Sequence, residues 1–111
     1  FWGACHEVMR NLIERYPEAT IVVLTPMHRW NENDPHGDYR NYDLDPLSVY
    51  ADIIRQVAEY YSLPVLDLYR NSGIQPEIPV MREKYMPAGL HPNDAGHKII
   101  AKRLEGLLKS L

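Results

Sequence analysis

Two short segments, Thr20-Ile21-Val22-Val23-Leu24-Thr25 and Leu63-Pro64-Val65-Leu66-Asp67-Leu68, frame the part of the chain that decides the fold. The first is β-branched and apolar on both alternating faces, as expected of a strand buried between two layers, and Pro26 stops it. The second is equally short, and Pro64 is tolerable near its start. Between them Leu47, Tyr50, Ile53, Ile54, Val57, Ala58 and Tyr61 recur at helical spacing, behind Asp45 as N-cap and Pro46 in the first turn. The unit is therefore strand, helix, strand, a parallel pair whose crossover is right-handed in nearly all folds.

Working outward, Cys5, Val8, Met9, Leu12, Ile13 and Tyr16 form one stripe of a helix that Pro17 closes. At the other end Ala95, Ile99, Ile100, Leu104, Leu107, Leu108 and Leu111 form a second stripe, capped by Asn93 or Asp94. Residues 69–86 read as irregular, with one helical turn around 82–85. Two parallel strands leave unpaired edges and bury too little area to stand as a sheet. The missing strands are expected on a removed N-terminal half or on a second copy that exchanges elements. A helix ahead of the first strand suits a piece of an alternating α/β domain, so residues 1–111 are taken as one portion of a single domain. A chain beginning with Phe1 leaves room for a removed leader or start.

Composition narrows the function. Of the 111 residues 45% are apolar and 24% charged, which is globular and at most one domain. A net charge of −3 provides no basic field for nucleic acid or anionic lipid. The longest apolar run, Ile21 to Leu24, is far short of the roughly 20 residues that cross a bilayer. The one cysteine, Cys5, cannot form an internal disulfide or a cysteine metal cage, and it falls on the first helix's stripe as a core thiol.

The most informative chemistry lies in Pro87-Ala88-Gly89-Leu90-His91-Pro92-Asn93-Asp94-Ala95-Gly96-His97. A proline directly after His91 favours an extended backbone at His91 and a helix start just beyond it. An imidazole held on such a stiff turn suits a general base, whose geometry must be fixed within hydrogen-bond reach of its proton. The plainer alternative is a ring that bonds the loop backbone. His97, in the first turn of the last helix, reads as structural.

The block Gly89-Leu90-His91-Pro92-Asn93, followed by Ala95-Gly96-His97 and an amphipathic terminal helix, resembles the last block of the SGNH, or GDSL-type, esterases and acylhydrolases. The order of elements before it is similar too, over the whole chain but over only the second half of that family's domain. The resemblance implies a three-layer αβα flavodoxin-like fold with parallel strands, of which two strands and three main helices lie here. It implies a serine hydrolase acting on small acyl esters, carbohydrate acetyl groups among them, with no metal and no cofactor. By the same resemblance His91 is the base that takes the serine proton and returns it to the leaving group.

Two departures follow. The family pattern is Asp-x-x-His-Pro, and the Asp position is Ala88 here. A methyl group cannot orient an imidazole, and losing that carboxylate in a serine triad can cost about 10⁴ in turnover. Asp67 and Asp94 are the substitutes within reach of the sequence. The nucleophile's Gly-Asp-Ser block and the oxyanion donors are absent as well, and Ser48, Ser62, Ser72 and Ser110 lack a Gly-rich elbow. The chain alone is therefore expected to be inactive.

Residues 26–45 hold four Asp, three Asn, two Pro, two His and one Gly without periodicity, and so read as a long polar loop. Its carboxylates from Asp34 to Asp45 could take a hard cation such as calcium, although the spacing matches no helix-loop-helix calcium site. His28, Arg29 and Trp30 follow the first strand's carboxyl end, where open α/β sheets place ligands, and His28 and Trp30 are the candidates to line a substrate cleft. The alternative to an enzyme portion is a non-catalytic, hydrolase-like module for binding or assembly.

Overall fold

A computed structural model describes residues 1–33 and 45–111. The order is α1 (Trp2–Arg15), β1 (Val23–Leu24), α2 (Leu47–Tyr60), β2 (Val65–Leu66), α3 (Leu68–Asn71), α4 (Pro79–Tyr85) and α5 (Asp94–Ser110). β1 and β2 pair in parallel, with Val23 opposite Val65 and Leu24 opposite Leu66. The N–H groups of Val23 and Thr25 donate to the carbonyls of Pro64 and Leu66 at 3.0 and 3.1 Å. This is the strand, helix, strand unit read from the sequence.

The core forms where α1 and α2 pack together over the sheet. Met9, Val57 and Ala58 are buried at its centre, with Cys5, Val23, Ile53, Ile54, Tyr61, Leu63 and Val65 packed around them. Fully removing such side chains from water stabilises by roughly 1.5–3 kcal/mol each, so this one cluster holds the two helices on the strands. α5 contacts α4 and β2. The contact with α4 is close: a Cβ built on Gly96 would lie 2.6 Å from the Tyr85 carbonyl oxygen and 2.8 Å from Pro92 Cβ.

The structure corrects several local expectations. The paired strands are two residues long rather than six, because among the described residues each has a ladder partner on one side only. The first strand is not enclosed on both faces, since Leu24 is 43% exposed. Along α1 only Met9 is buried, while Val8, Leu12 and Tyr16 of the same stripe stand in solvent. Phe1, Ala4, Val8 and Met9 of the α1 region join Val23 and Leu24 of β1, which among the described residues pairs on one side only, around an apolar trough of about 330 Å³. The cap of α2 is Pro46, not Asp45, and no side chain caps it.

Segment 69–86 is also more ordered than its composition suggests. Asp67 accepts from the Arg70 N–H and caps the single turn of α3, and α4 begins with Pro79, whose missing N–H costs nothing in a first turn. Among the described residues no helix is long and apolar enough to cross a membrane. Apart from Asp45, the proposed calcium loop lies outside the described residues.

Candidate functional site

The carboxyl ends of the two strands are tied by one hydroxyl. Thr25, 3% exposed at the end of β1, donates to Asp67 Oδ1 at 3.2 Å and accepts from the Tyr69 N–H at 3.0 Å. Asp67 is further engaged by the Arg70 N–H at 3.0 Å and lies 3.1 Å from Arg55 Nε. That ion pair lacks the alignment of a hydrogen bond, and Arg55 Nε and Nη1 are buried without another hydrogen-bond partner. Arg55 also lies 6.0 Å from the ring centre of Tyr69. The Asp67 carboxylate thus fastens the carboxyl ends of the two strands through Thr25, Arg70 and Arg55. Asp94 is exposed in the first turn of α5, where the helix dipole favours a carboxylate.

His28 and Trp30 follow β1 and meet two different neighbours. The His28 ring stacks on Tyr69, with centroids 4.0 Å apart and planes 30° apart. Trp30 lies under the Arg82 guanidinium, 3.6 Å from the ring centre. The Trp30 backbone N–H donates to the Gly89 carbonyl at 2.8 Å, so the loop after β1 reaches the histidine loop.

His91 projects from a turn fixed on both sides. Gly89, two residues before it, has φ of +80°, donates to the Met86 carbonyl at 2.7 Å and accepts from Trp30. Met86 beneath that turn is 1% exposed. Asn93, two residues after it, donates its N–H to the Tyr85 carbonyl at 2.8 Å and its Nδ2 to the Lys84 carbonyl at 3.0 Å. Its Oδ1 accepts from the Gly96 N–H at 3.0 Å, so Asn93 is the cap of α5. The His91 side chain is exposed, and it hydrogen-bonds to none of the described residues; Ala88 is likewise exposed in the preceding turn.

The other candidates are dispersed. His97 is exposed on α5 rather than packed. Ser72 is buried and its hydroxyl is bonded within its own turn to Ile74, whereas Ser110 donates to the Leu107 carbonyl. Ser62 sits in a turn at φ of 58°, and Ser48 is exposed on α2. Thr25, Tyr69 and Arg82 were not singled out by sequence reasoning. Thr25 meets Asp67 and Tyr69, and Arg82 meets Trp30, across more than forty positions of chain, and no local periodicity signals such contacts.

A parallel strand pair with a helical crossover, whose first strand runs into a loop bonded to the turn before His91, defines part of an α/β domain, an architecture that commonly binds ligands outside the strands' carboxyl ends. The chain belongs to the GDSL-like lipase/acylhydrolase family, which matches residues 4–99. One solved crystal structure is 34% identical with a TM-score of 0.87, over 99% of this chain and 52% of that one. A protein from Lactobacillus plantarum is 28% identical with a TM-score of 0.88, over 98% of this chain and 53% of its own. The esterase domain of the ZfL2-1 ORF1 protein from the zebrafish ZfL2-1 retrotransposon shares the fold at 17% identity, with a TM-score of 0.65 over 93% of this chain and 57% of its own. The chain thus spans about half the length of the solved structures it matches. No curated protein matches it.

Proposed function

We propose that residues 1–111 are the C-terminal portion of a serine acylhydrolase domain and carry its general base, His91. The observation that carries this reading is an exposed imidazole on a backbone fixed two residues to either side, by Trp30 at Gly89 and by α4 at Asn93. A ring so held, with no described residue bonded to it, is free to take a proton from a hydroxyl supplied by another part of the domain. His28 and Trp30, on the loop after β1, line the approach of a small acyl ester, carbohydrate acetates included. The nucleophilic serine and the oxyanion donors come from outside these residues, so the isolated chain is inactive.

The remainder of the domain, or a second copy, also completes the sheet beside β1, where Leu24 and Val8 stand exposed around the apolar trough. Equilibrium sedimentation tests this: a compact, stable lone monomer of this chain contradicts it.

Ala88 favours a second reading, a hydrolase-like module that binds without turnover, because the family's acid is replaced by a methyl group and Asp67 is committed elsewhere. Turnover of a chromogenic acetyl ester by the complete gene product separates the two. Hydrolysis lost on His91→Ala supports the enzyme, and ester binding without hydrolysis supports the module. A Gly-Asp-Ser block in the sequence encoded ahead of Phe1 supports the enzyme at no experimental cost.

A further inference from the structure

Arg82 lies on α4, outside every motif that suggests hydrolysis, yet its contacts converge on the loop that carries His91. Its Nη1 donates to the Pro76 carbonyl at 2.9 Å and approaches the Glu77 carbonyl at 3.5 Å, which anchors the guanidinium. Its Cζ lies over the Trp30 ring, 3.6 Å from the ring centre, within the range of a close cation–π contact. The Trp30 backbone in turn holds Gly89 by the 2.8 Å hydrogen bond. The approach is tight enough that a Cβ on Gly89 would fall 2.1 Å from the Trp30 carbonyl oxygen and 3.0 Å from its ring. Arg82 also belongs to the helix end that fixes the other side of the histidine, since its carbonyl accepts from the Met86 N–H at 2.9 Å and Asn93 is bonded to Lys84 and Tyr85.

We infer that Arg82 is the positioning residue for His91: by stacking on Trp30 it clamps the loop after β1 against the turn at Gly89 and so sets where the imidazole stands. The inference rests on the function proposed above and assigns Arg82 no contact with substrate. Arginine suits the task because its planar, delocalised cation can stack on an indole while its N–H groups remain on carbonyls, whereas lysine offers a point charge without the plane. Displacing a catalytic group by about an ångström can cost on the order of 10²-fold in rate, so a loosened clamp lowers turnover, and because Trp30 also lines the approach of the ester it weakens binding to a smaller extent.

The test uses the complete gene product with Arg82→Met, Arg82→Lys and, as reference, His91→Ala. Hydrolysis of a chromogenic acetyl ester is read as separate kcat and KM, alongside hydrogen exchange of the Trp30 amide and the thermal midpoint. Arg82→Met is expected to lower kcat by about tenfold or more, by a larger factor than it raises KM, and to speed Trp30 amide exchange, with Arg82→Lys recovering part of both. Unchanged kcat in Arg82→Met, in a protein whose turnover His91→Ala abolishes, overturns the clamp and leaves the proposed function standing. Turnover indifferent to His91→Ala overturns the function itself and the clamp with it. Losses in Arg82→Met that follow a fall in thermal midpoint, and that Arg82→Lys does not relieve, overturn the positioning role in favour of a purely structural one.

Discussion

The hydroxyl of Thr25 and the carboxylate of Asp67 meet at 3.2 Å across the carboxyl ends of β1 and β2, joining residues 42 positions apart in the chain. The same hydroxyl accepts from the Tyr69 N–H, so one buried side chain closes both strand ends. Thr25→Val keeps the shape and removes both bonds, including the hydroxyl that the part-buried Tyr69 amide donates to. It is expected to destabilise by about 1–3 kcal/mol, measured by urea denaturation. A midpoint equal to that of the unmodified protein contradicts this role.

Two glycines of α5 carry opposite expectations for the same substitution. Gly106 has nothing within 4 Å of a built Cβ, so Gly106→Ala stabilises by up to about 1 kcal/mol through helix propensity alone. At Gly96 the same methyl would meet the Tyr85 carbonyl and Pro92, so Gly96→Ala pushes α5 from α4 and destabilises despite that gain. Thermal melts of the pair, moving in opposite directions, check the packing. A stabilising Gly96→Ala refutes the close approach.

Gly89→Ala tests the histidine turn from its other side. A residue with a Cβ at φ of +80° costs roughly 1–2 kcal/mol by itself, and here the Cβ also collides with the Trp30 backbone. The expected outcome is lost stability together with faster exchange of the Trp30 amide, whose acceptor is the Gly89 carbonyl. An unperturbed Trp30 amide in this variant rules out the tight docking of the two loops.

Burial pushes the Cys5 thiol above its ordinary value. For an acid whose folded value is raised, the stabilising contribution is complete below the unfolded value and is lost as pH rises through the folded one. Alkylation by iodoacetamide is therefore expected to be slow at neutral pH and to accelerate only above the usual thiol range, while stability begins to fall as pH enters that range. A folded protein that alkylates at the unfolded rate at neutral pH contradicts this environment.

The strand, helix, strand order and the helix after His91 were legible because each rests on local periodicity and on punctuation by Pro26, Pro46 and Pro92. Asn93 was legible as a cap for the same reason, since a cap acts on an N–H three residues away. What escaped the sequence is non-local. Leu24 lies on a face that periodicity alone would bury, because alternation reports which way a side chain points and not what covers it. Likewise Arg82 on Trp30 and Thr25 on Asp67 are joined by the folding of distant loops. In the sequence α4 reads as a single turn, because Gly73 and the three prolines up to Pro87 point to irregular backbone, although a proline at a helix start is favourable.

The most direct measurement is ester turnover by the complete gene product carrying Ala88→Asp, alone and combined with His91→Ala. A carboxylate three residues before the ring supplies the acceptor that the chain lacks, so Ala88→Asp is expected to raise kcat by up to about 10⁴-fold, and adding His91→Ala is expected to abolish the gain. No gain from the aspartate, together with turnover undiminished by His91→Ala, contradicts the assignment of the base and with it the account of this chain.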